Sequence, residues 1–247
     1  MHASLSAALA NGEFFALYQP QIATLDGRVA GVEALLRWQR PGFGIIEPSD
    51  FVTIAEKQGL IAPLGAFMLE RACQTAAAWG ELKLGINVSP LQFARVDFAD
   101  VIFAIAGRAN LPLHRLEIEI TETAAFGDLE AAKATLAQLR ARGVSIALDD
   151  LGSGLATPAL MRALPLDRVK LGKEVVVTCQ TPEGAALVRG LICAARDLGL
   201  GVTAEGVETQ AEQEFLQACG CDLLQGYLFA RPMTGIEFTS FLRHRLD

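Results

Sequence analysis

The chain has 247 residues, 51% of them hydrophobic, and a formal net charge of −7 at pH 7. This length matches one α/β barrel, so we predict a single domain over residues 1–247. The dispersed acidic residues argue against binding of polymeric nucleic acid or anionic membranes. Five cysteines without a CxxC pair and three histidines outside any catalytic motif argue against a disulfide framework, a zinc site and histidine-based chemistry.

Short segments rich in Val, Ile and Leu alternate with longer stretches of helical periodicity, a pattern typical of repeated β/α units. Strands are predicted near residues 14–21, 28–37, 83–88, 115–120, 144–149, 167–171, 201–204 and 222–225. Helices are predicted near residues 49–58, 63–79, 97–109, 128–142, 156–163, 183–199 and 208–219, with a further helix near the C-terminus.

The first two predicted strands are joined by the short sequence ATLDG, which leaves no room for a helix. These strands are therefore expected to pair antiparallel. The predicted fold is a single (β/α)8 TIM-type barrel with an irregular, antiparallel first strand. The alternative, an open doubly wound sheet, would place a glycine-rich phosphate loop after an early strand, and the sequence has none there.

The N-terminal residues lack a basic segment followed by an apolar run. No apolar stretch approaches the roughly 20 residues that a membrane helix needs. We therefore expect a cytoplasmic protein, or the cytoplasmic portion of a membrane-anchored one, without direct membrane insertion.

In a β/α barrel, catalytic groups gather at the carboxyl ends of the strands. Polar residues stand at or near these ends throughout the chain: Gln19, Glu33, Arg37, Asn87, Glu119, Glu122, Asp149, Asp150, Lys170, Glu205 and Gln225. Any one of them alone is better explained as a helix cap or a solvated loop residue. Polar groups on all eight strands favour a functional site instead, because LEIEI and VSIALDD place carboxylates beside buried positions.

Oxygen ligands, without Cys or His, favour Mg²⁺ or Mn²⁺ over Zn²⁺. The candidate ligands are Glu33, Asn87, Glu119 and Asp149. Adjacent Asp149 and Asp150 are able to bridge two ions about 3.5–4 Å apart, the arrangement of two-metal phosphodiester hydrolysis. In this scheme the ions generate hydroxide from water, which attacks phosphorus in line.

Cationic side chains at the same rim would hold a phosphate. Lys170 and Arg37 are the candidates, and either Lys170 or Glu205 would position the attacking water.

Strand alternation predicts which of these side chains share a face. Glu33 and Arg37 lie on one face of their strand, so both can meet one ligand. Glu117 and Glu119 share a face of theirs, and we expect Glu117 to lie one layer deeper, in an ion-paired or supporting role.

The chain resembles the EAL domain family, which comprises cyclic di-GMP phosphodiesterases and their non-catalytic relatives. The matching motifs are YQPQ at 18–21, GVEALLRW at 31–38, the stretch from Gly44 through Pro48 to Ala55-Glu56, INVSPLQF at 86–93, EITET at 119–123, ALDDLGSG at 147–154, VK at 169–170, TAEGVET at 203–209 and QGYLFARP at 225–232. Long motifs in the same order over nearly the whole chain make the resemblance specific.

The resemblance implies hydrolysis of one phosphodiester bond of cyclic di-GMP to give linear pGpG, with two Mg²⁺ or Mn²⁺ ions as cofactors. The implied metal ligands are Glu33, Asn87, Glu119 and Asp149, with Asp150 at the second ion. The implied catalytic groups are Lys170 and Glu205, which handle the attacking water, together with Glu33 and Asp150. Substrate contacts are implied for Gln19, Arg37 and Gln225, and supporting roles for Glu122 and Glu208.

The resemblance also implies a homodimer formed through the region after the fifth strand. Because the chain begins close to its first predicted strand, we expect an upstream sensory or GGDEF domain that this chain does not include.

Two positions depart from the family pattern. The loop after the paired aspartates usually reads close to DFGTGYSS, whereas residues 150–157 read DLGSGLAT here. In the family this loop, anchored by the glutamate matching Glu122, helps to close the dimer and to order the second metal. We therefore expect reduced metal occupancy, dimerisation or turnover, although Ser153 keeps a hydroxyl for the anchoring contact. Gly172 replaces the aspartate of a KID segment, so a carboxylate near Lys170 is missing.

Two other functions stay open. A cyclic di-GMP receptor would bind through Gln19 and Arg37 with little or no turnover, because the loop after Asp150 is altered. A barrel enzyme of another class would use carboxylate-bound Mg²⁺ to stabilise an enolate, with Lys170 as the base. The complete ligand set and the motif string favour the phosphodiesterase.

Overall fold

The strands of the barrel carry the polar rim. The computed structural model describes residues 5–121, 129–152 and 158–244. The strands are β1 (Phe14–Ala23), β2 (Val29–Arg40), β3 (Gly44–Ile46), β4 (Lys83–Val88), β5 (Leu116–Thr121), β6 (Ser145–Leu151), β7 (Arg168–Leu171), β8 (Gly201–Ala204) and β9 (Leu223–Leu224). β1 pairs antiparallel with both β2 and β9. The other barrel strands, β2 and β4 to β9, run parallel to one another. Eight strands thus close into the predicted barrel, and β3 only adds a hairpin to the end of β2.

The helices surround this barrel. They are α1 (Leu5–Ala10), α2 (Pro48–Lys57), α3 (Ile61–Ala76), α4 (Pro90–Phe93), α5 (Phe98–Arg108), α6 (Leu129–Ala141), α7 (Pro158–Ala163), α8 (Lys173–Val176), α9 (Pro182–Asp197), α10 (Gln210–Ala218) and α11 (Gly235–His244). All the predicted helices are present within a few residues. Periodicity missed three of the shortest helices, α1, α4 and α8, because four to six residues give little or no apolar stripe.

The hydrophobic core lies within the barrel wall and beneath the helices. Val32, Ile118 and Val202 on the strands are inaccessible to solvent, as are Leu136 on α6 and Ile192 on α9. Strands buried on both faces explain the continuous Val, Ile and Leu runs of the sequence. None of the described helices is long and apolar enough to cross a membrane.

Aromatic contacts fix the C-terminal helix against the first strand. The ring of Trp79 lies 4.8 Å from that of Tyr18 on β1 and 4.6 Å from that of Phe238 on α11, centroid to centroid. Its indole nitrogen donates to the hydroxyl of Thr239 at 2.9 Å. This packing holds β1 in place and with it Gln19, one residue from Tyr18.

Candidate active site

One buried lysine at the carboxyl ends of the strands is surrounded by four carboxylates. Nζ of Lys170 on β7 lies 2.6 Å from Oε2 of Glu119 and 2.5 Å from Oε1 of Glu205. Oε2 of Glu33 lies 3.5 Å away, and Oδ1 of Asp149 lies 3.6 Å away. These five side chains, called the Lys170 cluster below, place four carboxylates around one ammonium. Their arrangement confirms that β2, β5, β6, β7 and the end of β8 direct these polar groups to one site.

Carboxamides hold Glu33 from both sides. Nδ2 of Asn87 donates to Oε1 of Glu33 at 2.5 Å, and Nε2 of Gln225 donates to Oε2 at 2.6 Å. Nε2 of Gln225 also donates to Oε1 of Gln19 at 3.1 Å, and the Gln19 amide donates to the carbonyl of Ala230 at 3.1 Å. The predicted residues of β1, β2, β4 and the end of β9 therefore form one hydrogen-bonded chain.

A glycine on the neighbouring strand makes room for Glu119. Gly85 of β4 pairs with Glu117 of β5, and a Cβ atom at Gly85 would collide with Oε1 of Glu119. That oxygen is buried and has no hydrogen-bond partner among the described residues. Sequence reasoning missed Gly85, although a glycine inside a strand is a known sign of close approach by another group.

The paired aspartates lie on an irregularity of β6. The register between β6 and β7 shifts between Leu148 and Leu151, and Asp150 has a φ of +56°. Asp149 is buried and its Oδ1 accepts a hydrogen bond from the backbone nitrogen of Asp150 at 2.9 Å. Asp150 is exposed, and its Oδ1 lies 3.1 Å from where a Cβ at Gly172 would stand. Such a bulge turns two successive side chains in different directions, one into the cluster and one over Gly172.

Burial and charge crowding shift the pKa values of the Lys170 cluster. Burial raises the pKa of Glu119 well above 4.5. Repulsion by Glu33 and Asp149 raises this pKa further, whereas the attraction of Lys170 lowers it. Burial likewise raises the pKa of Glu205 to about 8. Burial alone would lower the pKa of Lys170, but the surrounding carboxylates outweigh it and raise that pKa well above 10.5. Glu119 and Glu205 therefore hold a proton more tightly than a free carboxyl group does, and a further cation would oppose that proton.

Arg37 occupies the predicted rim position, but it already has an acidic partner. Its Nη2 lies 3.1 Å from Oε2 of Glu47, and its Nη1 donates to the carbonyl of Leu36 at 2.8 Å. Arg37 is nearly buried, whereas the Glu47 side chain is 60% exposed. Lys170 is fully buried among carboxylates, and its contact with a phosphate stays a prediction.

A polar cavity of about 180 Å³ opens beside the Lys170 cluster. Its lining includes Gln19, Lys173, Glu205, Glu208, Gln225 and Tyr227. Glu208 forms an ion pair there, with its Oε1 2.5 Å from Nζ of Lys173. The predicted supporting residue Glu122 and the loop residue Ser153 lie outside the described residues.

One layer deeper, Glu117 has the ion-paired role that strand alternation predicts. Its Oε2 lies 3.4 Å from Nε of Arg168. Within the described residues, no three Asp, Glu, His or Cys side chains form a ready-made ion site. This absence agrees with the Lys170 cluster, in which the four carboxylates face the ammonium of Lys170.

The family model of the EAL domain matches residues 2–232. A relative from Pseudomonas aeruginosa, the bifunctional diguanylate cyclase/cyclic di-GMP phosphodiesterase MucR, is 37% identical over 235 residues, which cover 93% of this chain and 34% of MucR. The chain spans about a third of the length of four curated relatives, MucR among them, with shares from 28% to 35%.

Solved structures share the whole barrel. A structure described as the PaMucR phosphodiesterase in complex with c-di-GMP has a TM-score of 0.90 at 36% identity, covering 95% of this chain and 97% of that one. A calcium/cyclic di-GMP complex of Klebsiella pneumoniae BlrP1 at pH 8.0 has a TM-score of 0.82 at 27% identity, covering 92% of this chain and 58% of that one. These likenesses confirm both the fold and the family resemblance.

Proposed function

This chain belongs to the EAL domain family, and from this premise we propose that it hydrolyses cyclic di-GMP to linear pGpG in a metal-dependent reaction. The observation that carries the proposal is the convergence of four carboxylates on Lys170, at 2.5 to 3.6 Å. The phosphodiesterase name of MucR and the nucleotide in its solved complex support the substrate. The receptor alternative is not favoured by these relatives.

The donor set fits divalent cations. Glu33, Asn87, Glu119 and Asp149 would hold one ion, with Asp150 at a second. Oε1 of Glu119 is buried without a hydrogen-bond partner among the described residues, and Asn87 donates through Nδ2, which leaves its Oδ1 for a cation. Oxygen ligands of this kind suit Mg²⁺ and Mn²⁺. The BlrP1 complex contains calcium, a cation with the same preference for oxygen.

The ions, when bound, supply positive charge to the phosphodiester and make a bound water acidic. Oε1 of Glu205 is suited to accept the proton of the attacking water, because burial raises the pKa of this carboxyl to about 8, near the working pH. The ammonium of Lys170 holds Glu119 and Glu205 in place. At the rim, Arg37 would exchange the exposed Glu47 for a substrate phosphate, which its planar guanidinium binds well.

The test is chromatographic detection of pGpG after incubation of the purified protein with cyclic di-GMP and Mg²⁺, Mn²⁺ or chelator. The wild type is compared with Glu33→Ala, and Glu130→Ala on the exposed face of α6 is the control. Metal-dependent pGpG is expected from the wild type and the control only. Full activity of Glu33→Ala would contradict the proposal, and intact substrate in every sample with retained nucleotide binding would favour a receptor.

A further inference from the structure

Three cysteines lie among the outer helices, away from the Lys170 cluster. All five cysteines of the chain are free thiols in this structure. Cys73 and Cys221 are buried, and burial raises the pKa of each of these thiols to about 12, so neither forms a thiolate readily. Cys179 and Cys219 are half-buried and Cys193 is exposed. Thiol chemistry of the folded protein therefore falls to these last three residues.

Two arginines on either side of Cys193 fix α9 against α10. Arg189, Cys193 and Arg196 stand at i, i+4 and i+7 of α9 and therefore share one face of the helix. The guanidinium carbon of Arg189 lies 5.0 Å from the ring centroid of Phe215 on α10. Nη1 of Arg196 donates to the carbonyl oxygen of Gly220, just beyond α10. The face of α9 that carries Cys193 is thus the face that meets α10.

Cys219 occupies the matching place on α10. It comes four residues after Phe215 and directly before Gly220, at the C-terminal end of the helix. α9 leads from β7 to β8 and α10 from β8 to β9, and because these strands are parallel, the two helices run in the same direction. The two arginine contacts therefore set the helices in register on both sides of Cys193, so that this residue faces Cys219.

The electrostatic surroundings of Cys219 agree with this placement. Burial raises the pKa of its thiol, the Arg189 guanidinium lowers that pKa by its charge and by a hydrogen bond, and the adjacent Cys193 thiol raises it. A guanidinium beside a cysteine favours the thiolate, which is the nucleophilic form. Cys179 also lies near Cys219, but burial and the carboxylate of Glu212 both raise the pKa of the Cys179 thiol. Cys193 is therefore the favoured partner of Cys219.

We propose that Cys193 and Cys219 form a reversible oxidation site, a dithiol that a peroxide converts to a disulfide within one chain. The exposed thiolate of Cys193 attacks one oxygen of hydrogen peroxide, the O–O bond breaks, and Cys193 becomes a sulfenic acid. The thiolate of Cys219 then attacks that sulfur, the S–S bond forms and the S–O bond breaks. The two sulfurs together lose two electrons, and the peroxide takes up these electrons and the two thiol protons to leave as two waters.

The disulfide would close a loop that contains β8 and Glu205. Closing such a loop restricts the unfolded chain, so the oxidised protein is expected to melt at a higher temperature than the reduced protein. Reduction by dithiothreitol, through thiol–disulfide exchange, restores both thiols.

The test treats the folded wild type with hydrogen peroxide, alkylates the remaining thiols after denaturation, and identifies linked peptides by mass spectrometry without reduction. The variants are Cys193→Ser and Cys219→Ser, each of which removes one partner. Cys179→Ser is the matched control, because it removes the other thiol near Cys219. Non-reducing gel electrophoresis separates a bond within one chain from a bond between two chains.

The wild type and Cys179→Ser are expected to lose two alkylatable thiols per chain, to give a peptide that joins Cys193 to Cys219, and to regain both thiols in dithiothreitol. Their Tm is expected to rise by about 5 °C or more on oxidation, with no rise in the other two variants. A bond between Cys179 and Cys219, a bond between two chains, or sulfinic acid at Cys193 without any disulfide would overturn the inference. Unchanged thiols in the wild type would do so too, as would a linked peptide without a rise in Tm, since that bond would not have formed in the folded chain.

Discussion

Two carboxylates on the same face of β5, two residues apart, have opposite surroundings. In the deeper layer, Glu117 faces Arg168 of β7 at 3.4 Å, which balances one acid with one base. At the rim, Glu119 faces Lys170 of the same β7 at 2.6 Å, but three further carboxylates crowd the same ammonium. The residue type is identical in the two layers, and only the local balance of charge differs.

The amino ends of the strands extend the contrast. Arg115 is buried and donates to the carbonyls of Leu82 and Ala76, and Oδ2 of Asp222 accepts from the backbone nitrogen of Val202. Polar groups satisfied by the protein itself specify structure, whereas the excess of acid at the rim is relieved only by protons or by cations from solution. Charge balance therefore separates the structural end of this barrel from its candidate active site.

Separate substitutions of Glu119 and Glu117 test this difference between the layers with the largest expected effect. Glu119→Gln is expected to lower kcat/KM for cyclic di-GMP by about 10³-fold, because a metal ligand contributes several kcal/mol to the transition state. Glu117→Gln should keep most of the turnover and lose mainly stability. Equal losses in the two variants, measured by pGpG formation, would mean that the layers do not differ in function.

Removing the lysine tests the same contrast through stability. Lys170→Met leaves four carboxylates without their ammonium and is expected to lower the free energy of unfolding by roughly 3–5 kcal/mol in chelator, since it breaks a buried ion network. Arg168→Met removes one partner of a single pair and should cost less. Urea unfolding measures both, and a smaller loss for Lys170→Met than for Arg168→Met would contradict the account.

The glycine beside Glu119 offers a steric test. Gly85→Ala puts a methyl group against Oε1 of Glu119 and is expected to lower turnover about 100-fold, the cost of displacing a catalytic group by about 1 Å. Gly107→Ala near the end of α5 is the control, because its added methyl group meets no atom within 4 Å and should leave turnover unchanged. Wild-type turnover of Gly85→Ala would show that the position of the Glu119 carboxylate is not critical.

The sequence predicted the eight strands and most of the rim, because apolar runs mark the strands and the ends of parallel strands meet at one edge. That rule alone identifies four residues of the Lys170 cluster: Glu33, Glu119, Asp149 and Lys170. The room that Gly85 leaves for the Glu119 side chain depends on the register between β4 and β5. No local sequence pattern predicts that register.

Two other features depend on contacts that a sequence leaves undefined. The pairing of Arg37 with Glu47 and the position of Lys173 over Gly206 both follow from how loops return to the rim. Both residues are polar groups near strand ends, so their presence was visible but their partners were not.

The pH dependence of stability is the mildest test. Burial raises the pKa of Glu205 from 4.5 to about 8, so its protonated form stabilises the fold below pH 4.5 and this contribution is lost as the pH rises through 8. In chelator, Tm should therefore fall by a few degrees between pH 5 and pH 9 relative to Glu205→Gln, which lacks this titration. Stabilisation by Mn²⁺ should grow over the same range, because the proton on Glu205 opposes the cation. Parallel Tm curves for the two proteins would argue against a raised pKa.

Direct measurement of Mn²⁺ binding, by electron paramagnetic resonance of the free ion, tests the central claim that excess acid at the rim is a cation site. The account predicts saturable binding by the wild type and by Glu117→Gln, with binding lost or strongly weakened in Glu119→Gln. Absence of saturable binding to the wild type, or equal binding to the two variants, would contradict it.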